Sequence, residues 1–319
     1  MKLLEDLLLK PFADMAGAPD FLIQVLWEGL VAGVLYALIA LGFVLIYKSS
    51  RVFNFAQGIM VVFAALTLVG LHERGVPPWL AVPLTLAVMF VLAVAIERVV
   101  LRPLVNQPDI ILFMATIGIT LFLVGFGEIV FGGENKVMIT EELGIPTGSF
   151  TFEPFGGFVS IEQKDLVAVV GAALLVALLV VFLNRSRIGR AIRALGDDHQ
   201  AALSVGISLS VIWVVVWFIA GIIALATGIV WGARAGVSFA LEVIAYKALP
   251  VLMLGGLESV SGAIVAGIAI GVLEKLFEIY WGQPLFGGGT ETWFAFVLAL
   301  VVLLFRPQGL FGEKIIERV

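Results

Sequence analysis

The chain has no cysteine, two histidines and few charged residues, 13% of 319. Each shortage closes off a class of chemistry. Without cysteine there is no disulfide, no thiolate nucleophile and no cysteine-bound metal. His72 and His199 are far apart in the chain and both fall in predicted loops, so no histidine pair is spaced to hold zinc. Asp197 and Asp198 are adjacent, which suits a turn or a helix cap rather than a bridged Mg²⁺. Nothing resembles G-x-x-x-x-G-K-[ST], so the chain has no P-loop of its own for ATP. With no evident nucleophile, metal cluster or paired carboxylates at membrane depth, we expect a protein that is not an enzyme and carries no cofactor and no metal. The net charge is only −5, and basic residues are scattered rather than clustered with aromatics, which leaves no electrostatic footprint for nucleic acid.

What is abundant is apolar sequence: 61% of residues are hydrophobic and the mean hydropathy is +1.12. Soluble domains carry roughly 25% charged residues, so the composition places this chain in lipid. Apolar runs near 18 residues or longer indicate helices rather than the short alternating strands of a barrel. The expected fold class is all-α, a polytopic helical membrane protein with about 8 to 9 transmembrane segments. Candidate spans are Phe21 to Tyr47, Phe55 to Leu71, Trp79 to Leu101, Ile110 to Phe131, Leu166 to Leu183, Ser210 to Trp231, Ile264 to Tyr280 and Trp293 to Phe305. A ninth, Ile244 to Gly256, is short. Residues 1–20 mix acidic with apolar residues and lack a small-residue cleavage site, so they read as an interfacial segment rather than a signal peptide.

Orientation follows from the basic residues of the short loops. Lys48, Arg51, Arg98, Arg102, Arg185, Arg187, Arg190, Arg193, Arg306, Lys314 and Arg318 form one set, expected in the cytoplasm. The other face has Arg74, Lys136, Lys164, Arg234, Lys247 and Lys275, together with five glutamates in the loop 132–164. A start outside and an end inside require an odd number of crossings, so Ile244 to Gly256 counts as a broken or half-length helix. Pro250 removes a backbone donor there, and Gly255 and Gly256 loosen the chain. Irregular backbone at membrane depth is tolerated where it is buried in protein or lines a cavity. Asn54 and Gln57, in F-N-F-A-Q-G beside Gly58, fit the same description, either as a polar hinge or as an interfacial loop. Glycine pairs one turn apart at Gly29 and Gly33, Gly228 and Gly232, and Gly267 and Gly271 allow close helix approach. Glu28, Glu97 and Glu128 lie within about two turns of a span end and reach interfacial water, which gives ion coupling little support.

One stretch, Asn184 to Ser208, is polar and Arg-rich between membrane-grade runs. Ile188, Ala191, Ile192 and Leu195 recur at helical spacing, while Arg187, Arg190 and Arg193 occupy other faces. Gly196 is expected to end this amphipathic helix, Asp198 to cap a second turn through His199 to Val205, and Gly206 to close it in the left-handed conformation. The segment is either a solvated positive-inside loop or a knob of two short surface helices that a soluble partner can grip.

At these residues the chain resembles a known family, the permease subunits of bacterial ABC importers for branched-chain amino acids of the H type in the Liv system. G-R-A-I-R-A-L-G-D-D-H-Q-A-A-L-S-V-G-I, Gly189 to Ile207, is similar to the cytoplasmic loop that docks on the ATPase subunits. Y-A-L-I-A-L-G-F-V-L-I-Y from Tyr36, N-F-A-Q-G from Asn54, K-A-L-P-V-L-M-L-G-G-L-E-S-V-S-G-A-I-V-A-G from Lys247 and R-P-Q-G-L-F-G from Arg306 match in order along nearly the whole chain. Two departures stand out: Ile59 replaces an acidic residue common after N-F-A-[HQ]-G, and the loop 132–164 is long and acidic.

The resemblance implies a single transmembrane permease domain over 21–306, with a cytoplasmic coupling loop at 184–209, an extracytoplasmic loop at 132–164 and a cytoplasmic tail at 307–319. The implied coupling element comprises Gly189, Arg190, Arg193, Asp197, Asp198 and Gly206. The segments holding Asn54, Gln57, Gly58, Pro250, Gly255 and Gly256 are expected to border the translocation path. Implied partners are two ATP-binding-cassette ATPase subunits, a second homologous permease, an extracytoplasmic solute-binding protein and the lipid bilayer of a bacterial inner membrane. The solute would be a branched-chain amino acid or a related small polar solute such as urea or an amide, moved by alternating access. A self-contained secondary transporter or channel is the alternative.

Overall fold

The computed structural model describes residues 9–312 except 106 and 198, and only the backbone of Asp197, His199, Gln200, Val243 and Ile244. Residues 1–8 and 313–319 of the two terminal segments, and Asp198 of the coupling loop, therefore lie outside the described residues. A short helix α1 (Lys10–Gly17) leads into α2 (Pro19–Ser50), which runs unbroken for 32 residues, about 48 Å at about 1.5 Å per residue. Then follow α3 (Gln57–Glu73), α4 (Pro78–Ala95), α5 (Asp109–Phe131), a hairpin of β1 (Ser149–Phe152) and β2 (Val159–Glu162), and α6 (Gln163–Arg185). Two surface helices, α7 (Arg187–Asp197) and α8 (His199–Ser204), precede α9 (Leu209–Ala235). The chain closes with α10 (Leu241–Tyr246), α11 (Ala248–Gly255), α12 (Val260–Phe277), α13 (Gln283–Phe286) and α14 (Phe294–Phe305).

Six of these helices are long and apolar enough to cross a membrane, with α3 and α14 as shorter apolar helices. They correspond to the eight full spans expected from hydropathy. The ninth is two short helices, and its break lies at Lys247 rather than at Pro250. Pro250 sits in the first turn of α11, where backbone N–H groups have no helical acceptor anyway. Its ring clashes with the carbonyl four residues earlier, that of Tyr246, which disfavours a regular helix through this point. The chain turns at Lys247, which becomes the residue preceding α11.

The hub of the bundle is α2. Its most apolar window is 89% buried, against 28% for α4, 33% for α5 and 22% for α6. Helix α3 is buried without a gap from Gln57 to Gly70. Helix α12 packs along α2 more extensively than any other helix pair, and the glycines explain how. A Cβ added at Gly33 would lie 2.7 Å from the Gly267 carbonyl, one at Gly29 would lie 2.7 Å from Val272 Cα, and one at Gly271 would strike the Gly29 and Gly33 backbone. The two expected glycine pairs therefore meet each other, backbone against backbone. The third pair serves elsewhere, with Gly228 against α3 at Val61 and Ala65, and Gly232 against Met138 and Val237.

One carboxylate departs from expectation. Glu97 is 3% exposed, ion-paired to Arg102 at 3.1 Å and bonded to the Ser210 hydroxyl. A π-type turn at Ile96–Leu101 rotates it away from water and toward the start of α9.

Candidate functional site

Two polar constructions stand at opposite ends of the bundle. The first is the knob of α7 and α8. Ile192 and Leu195 are fully buried, with Ile188 and Ala191 packed against the same core, so the expected apolar stripe is the side facing the bundle. Arg187 and Arg190 are exposed and form no ion pair with another described residue. Arg193 is half-buried, and its guanidinium donates to Asn184 Oδ1 at 3.0 Å. Leu203 and Val205 are 48% and 76% exposed, apolar surface at the tip of the knob. Gly206 has φ +84°, the left-handed close that the sequence suggested. Gly189 abuts the Leu183 carbonyl, where any Cβ would collide.

Helix α7 ends at Asp197, one residue past Gly196, and a clamp holds this end. The Gly196 carbonyl accepts from Arg51 Nε at 3.0 Å and Nη2 at 2.7 Å, while Arg51 Nη1 pairs with Glu258. Gly196 also lies so close to the Lys48 carbonyl that a side chain would not fit. Arg51 itself closes α2 with φ +58°, a left-handed conformation disfavoured for a residue with a Cβ and held here by three polar contacts. The knob, the end of α2 and the turn before α12 thus form one unit. Composition named Arg51 only as a topological cation.

The expected path residues lie in the packed interior. Asn54 and Gln57 are both fully buried. Asn54 Oδ1 accepts from Ala56 N–H at 3.0 Å and Gln57 Nε2 donates to the Ala220 carbonyl at 3.3 Å, while Asn54 Nδ2 and Gln57 Oε1 have no partner among the described residues. Gly58 touches Ala245 and Glu242 of α10. Pro250 is buried, Gly255 abuts Gly262, and Gly256, at φ +99°, touches Gly312. The structure brings Asn54, Gln57 and Gly58 together at the head of α3, and Gly255 and Gly256 together at the foot of α11.

The second construction escaped the sequence reading, which took the chain to lack buried charge. That expectation is corrected by Glu274, 1% exposed on α12. Lys247 Nζ donates to Glu274 Oε1 at 2.7 Å and to the Tyr36 hydroxyl at 3.2 Å, and Tyr36 donates to the same carboxylate oxygen at 3.1 Å. Tyr36 stacks on Trp231 with ring centroids 6.1 Å apart. Beside this triad is a cavity of about 250 Å³ whose wall includes Glu28, Tyr36, Trp231, Arg234, Lys247 and Lys275. Arg234 pairs with Asp165 at 3.3 Å, and Lys275 with Glu291 at 2.6 Å. Glu291 is placed by Glu278, whose carboxylate accepts the N–H groups of Gly289, Thr290 and Glu291 and so ties down the turn before α14. Asp165 lies in the first turn of α6 and α7 follows its last, so the cavity and the knob are separated by the length of that helix. The signal was present in sequence: an acidic residue well inside an apolar run needs a partner, and Lys247 breaks a neighbouring one.

The chain matches, over residues 25–305, the family model described as branched-chain amino acid transport system, permease component. It belongs to that family. The permease is similar to the high-affinity branched-chain amino acid transport system permease protein BraD of Pseudomonas aeruginosa, with 31% identity covering 93% of this chain and 98% of that protein. It is similar also to LivH of Escherichia coli K12, with 28% identity covering 94% and 98%. Among solved structures, PsaBC from Streptococcus pneumoniae in complex with Fab superposes with a TM-score of 0.50 at 12% identity, over 93% of this chain and 97% of that one. That likeness shows the fold alone. The permease is a polytopic helical membrane protein and a transport subunit.

Proposed function

We propose that this permease is the membrane-spanning subunit of an ATP-driven importer for branched-chain amino acids. One observation carries the reading: an exposed Arg-rich knob is clamped by Arg51 to both the hub helix and the turn before α12. In this reading α7 and α8 receive two partner ATPases, with Arg190, Arg193, Asp197 and Asp198 at the contact and Gly189 and Gly206 shaping it. The exposed Leu203 and Val205 would enter an apolar notch on the ATPase. The chain itself performs no catalysis; ATP is hydrolysed by those partners. A second homologous permease and an extracytoplasmic solute-binding protein complete the assembly.

The knob end gathers Arg185, Arg187, Arg190 and Arg193 in one short connection, whereas Arg74, Lys136, Lys164, Arg234, Lys247 and Lys275 are spread over longer ones. By the positive-inside rule this supports a knob in the cytoplasm, an N-terminus outside and a C-terminus inside a bacterial plasma membrane. Closure of the ATPases displaces the knob, and Arg51 transmits the displacement to α2 and, through Glu258, to α12. Interlocked by their glycines, those two helices move as one body and carry Tyr36 and Glu274 with them. Asn54, Gln57 and Gly58, with Pro250, Gly255 and Gly256, border the path as it opens.

The buried Lys247–Glu274 pair favours a second reading, a self-contained carrier, since intramembrane charge is its common mark. Reconstitution separates the two. The permease with its ATPases and binding protein in proteoliposomes should take up labelled leucine only with ATP, and Arg190→Glu with Arg193→Glu should lose both the ATPases and uptake. Leucine uptake by the chain alone, without ATP, refutes the import reading.

A further inference from the structure

Resting on the importer reading, we infer that the cavity beside Tyr36 is a binding site for a zwitterionic α-amino acid within the permease itself. Its charges are unevenly satisfied. The wall carries Glu28 and Glu291 with Arg234, Lys247 and Lys275, and Asp165 and Glu274 pair with two of those cations from behind it. Each cation has its own carboxylate, and Glu28 is the one left over: among the described residues its only polar partner is the neutral amide of Gln24, at 3.1 Å. An acid kept next to a closed set of ion pairs presents a vacant place for a cation, and a primary ammonium supplies the three donors such a carboxylate accepts.

The cations supply the opposite sense. Lys247 and Arg234 stand on the same wall, so a carboxylate brought here finds two cations. The last feature is size. About 250 Å³ is many times the roughly 10 to 15 Å³ that one water needs, so the cavity admits a small amino acid. Ala32 leaves room on the wall, and the stacked faces of Tyr36 and Trp231 offer an apolar surface for a side chain. An acid-only ligand would leave Glu28 bare.

Gln24 links the site to the outer surface. Its amide nitrogen donates to Glu28 and its carbonyl accepts from Ser160 N–H of β2 at 3.0 Å. The hairpin is therefore fastened to the residue that would hold the ammonium, on the side where solute enters.

The test is equilibrium binding of labelled L-leucine to the complete transporter in nanodiscs, without binding protein. Competitors are unlabelled amino acids, 4-methylpentanoate, which lacks the ammonium, and 3-methylbutylamine, which lacks the carboxylate. We expect competition by α-amino acids and by neither analogue. Glu28→Gln should weaken binding at least about tenfold, the effect of losing one charged hydrogen bond, while Glu28→Asp keeps most of it. Ala32→Leu, a variant that leaves every charge in place, should exclude leucine and still admit glycine. Competition by the amine as strong as by leucine, or a Glu28→Gln change within twofold, overturns the site. ATP-driven leucine uptake with the binding protein present tests the importer separately: uptake without direct binding rejects this site and leaves the importer standing.

Discussion

Replacing Gly271 by alanine adds a single methyl group, and the structure gives it nowhere to go. Its Cβ would stand 2.5 Å from the Gly29 carbonyl and nearer still to Gly33, where ordinary contact begins at about 3.5 Å. Both neighbours are backbone in the middle of α2, so no rotamer relieves the overlap. Helices α2 and α12 would separate by about 1 Å, and a gap of that size forfeits a quarter to a half of the dispersion energy along the seam. We expect Gly271→Ala to cost roughly 2 to 3 kcal/mol, the upper part of the overpacking range. Gly33→Ala, whose Cβ meets Gly267 and Ile268 at 2.7 Å, should cost about the same. Because one separation accommodates both methyls, the double variant should cost less than the two singles together, by at least about 0.5 kcal/mol. Gly118→Ala on α5 is the control: nothing lies within 4 Å of its Cβ, and alanine should stabilise that helix by up to about 1 kcal/mol. Thermal unfolding in detergent followed by tryptophan fluorescence measures all four. If Gly271→Ala melts with Gly118→Ala, or if the two substitutions add, the interlocked seam is wrong.

Two further outcomes follow from the polar contacts. Arg51→Met removes both bonds to the Gly196 carbonyl and the Glu258 pair; ATP hydrolysis by the complex should continue while ATP-driven leucine uptake in proteoliposomes falls at least about tenfold, from loss of charged hydrogen bonds near 1.5 kcal/mol or more each. Parallel loss of hydrolysis and uptake would instead place Arg51 in the ATPase contact. At the Glu97–Arg102 pair, Arg102→Ala strands a carboxylate with a 4% exposed side chain and should cost about 3 to 5 kcal/mol. Glu97→Ala strands a guanidinium that is 56% exposed and should cost no more than about 1 to 2 kcal/mol. Equal losses in a denaturant or thermal series would contradict the burial on which this asymmetry rests.

The spans, the glycine seam and the facing of α7 were legible because each rests on short-range periodicity. Gly29 and Gly33 lie one turn apart, and so do Gly267 and Gly271; the spacing announces close approach, though not that the two pairs would meet. Ile188, Ala191, Ile192 and Leu195 declare a buried face on their own. Pairing across the fold was not legible in that way. Lys247 and Glu274 are separated by 27 positions and Tyr36 by 211 from Lys247, so no window holds them together. Hydropathy filed Lys247 as a loop cation because it flanks an apolar run, and it passed over Glu274 because the run around Glu274, Lys275 and Glu278, though the least apolar of the long helices, still averages as a span. Arg51 was legible as a charge, yet its work depends on a backbone carbonyl 145 positions away. Asn54 and Gln57 were recognised as unusual, and the structure adds that each keeps one amide atom in the interior unmatched among the described residues.

The sheltered position of α2 bears on how this permease responds to its lipids. Helices longer or shorter than the local hydrocarbon thickness tilt, kink or deform the bilayer. Helices α4, α5 and α6 present most of their surface outward, and so does α12, whose apolar window is 39% buried, while α2 and α3 are enclosed. A thicker or thinner bilayer therefore acts on the rim and on one of the two interlocked helices, and reaches the enclosed α2 only through α12. Uptake by this protein should vary with acyl-chain length through the moving helix that meets lipid, not through the axis.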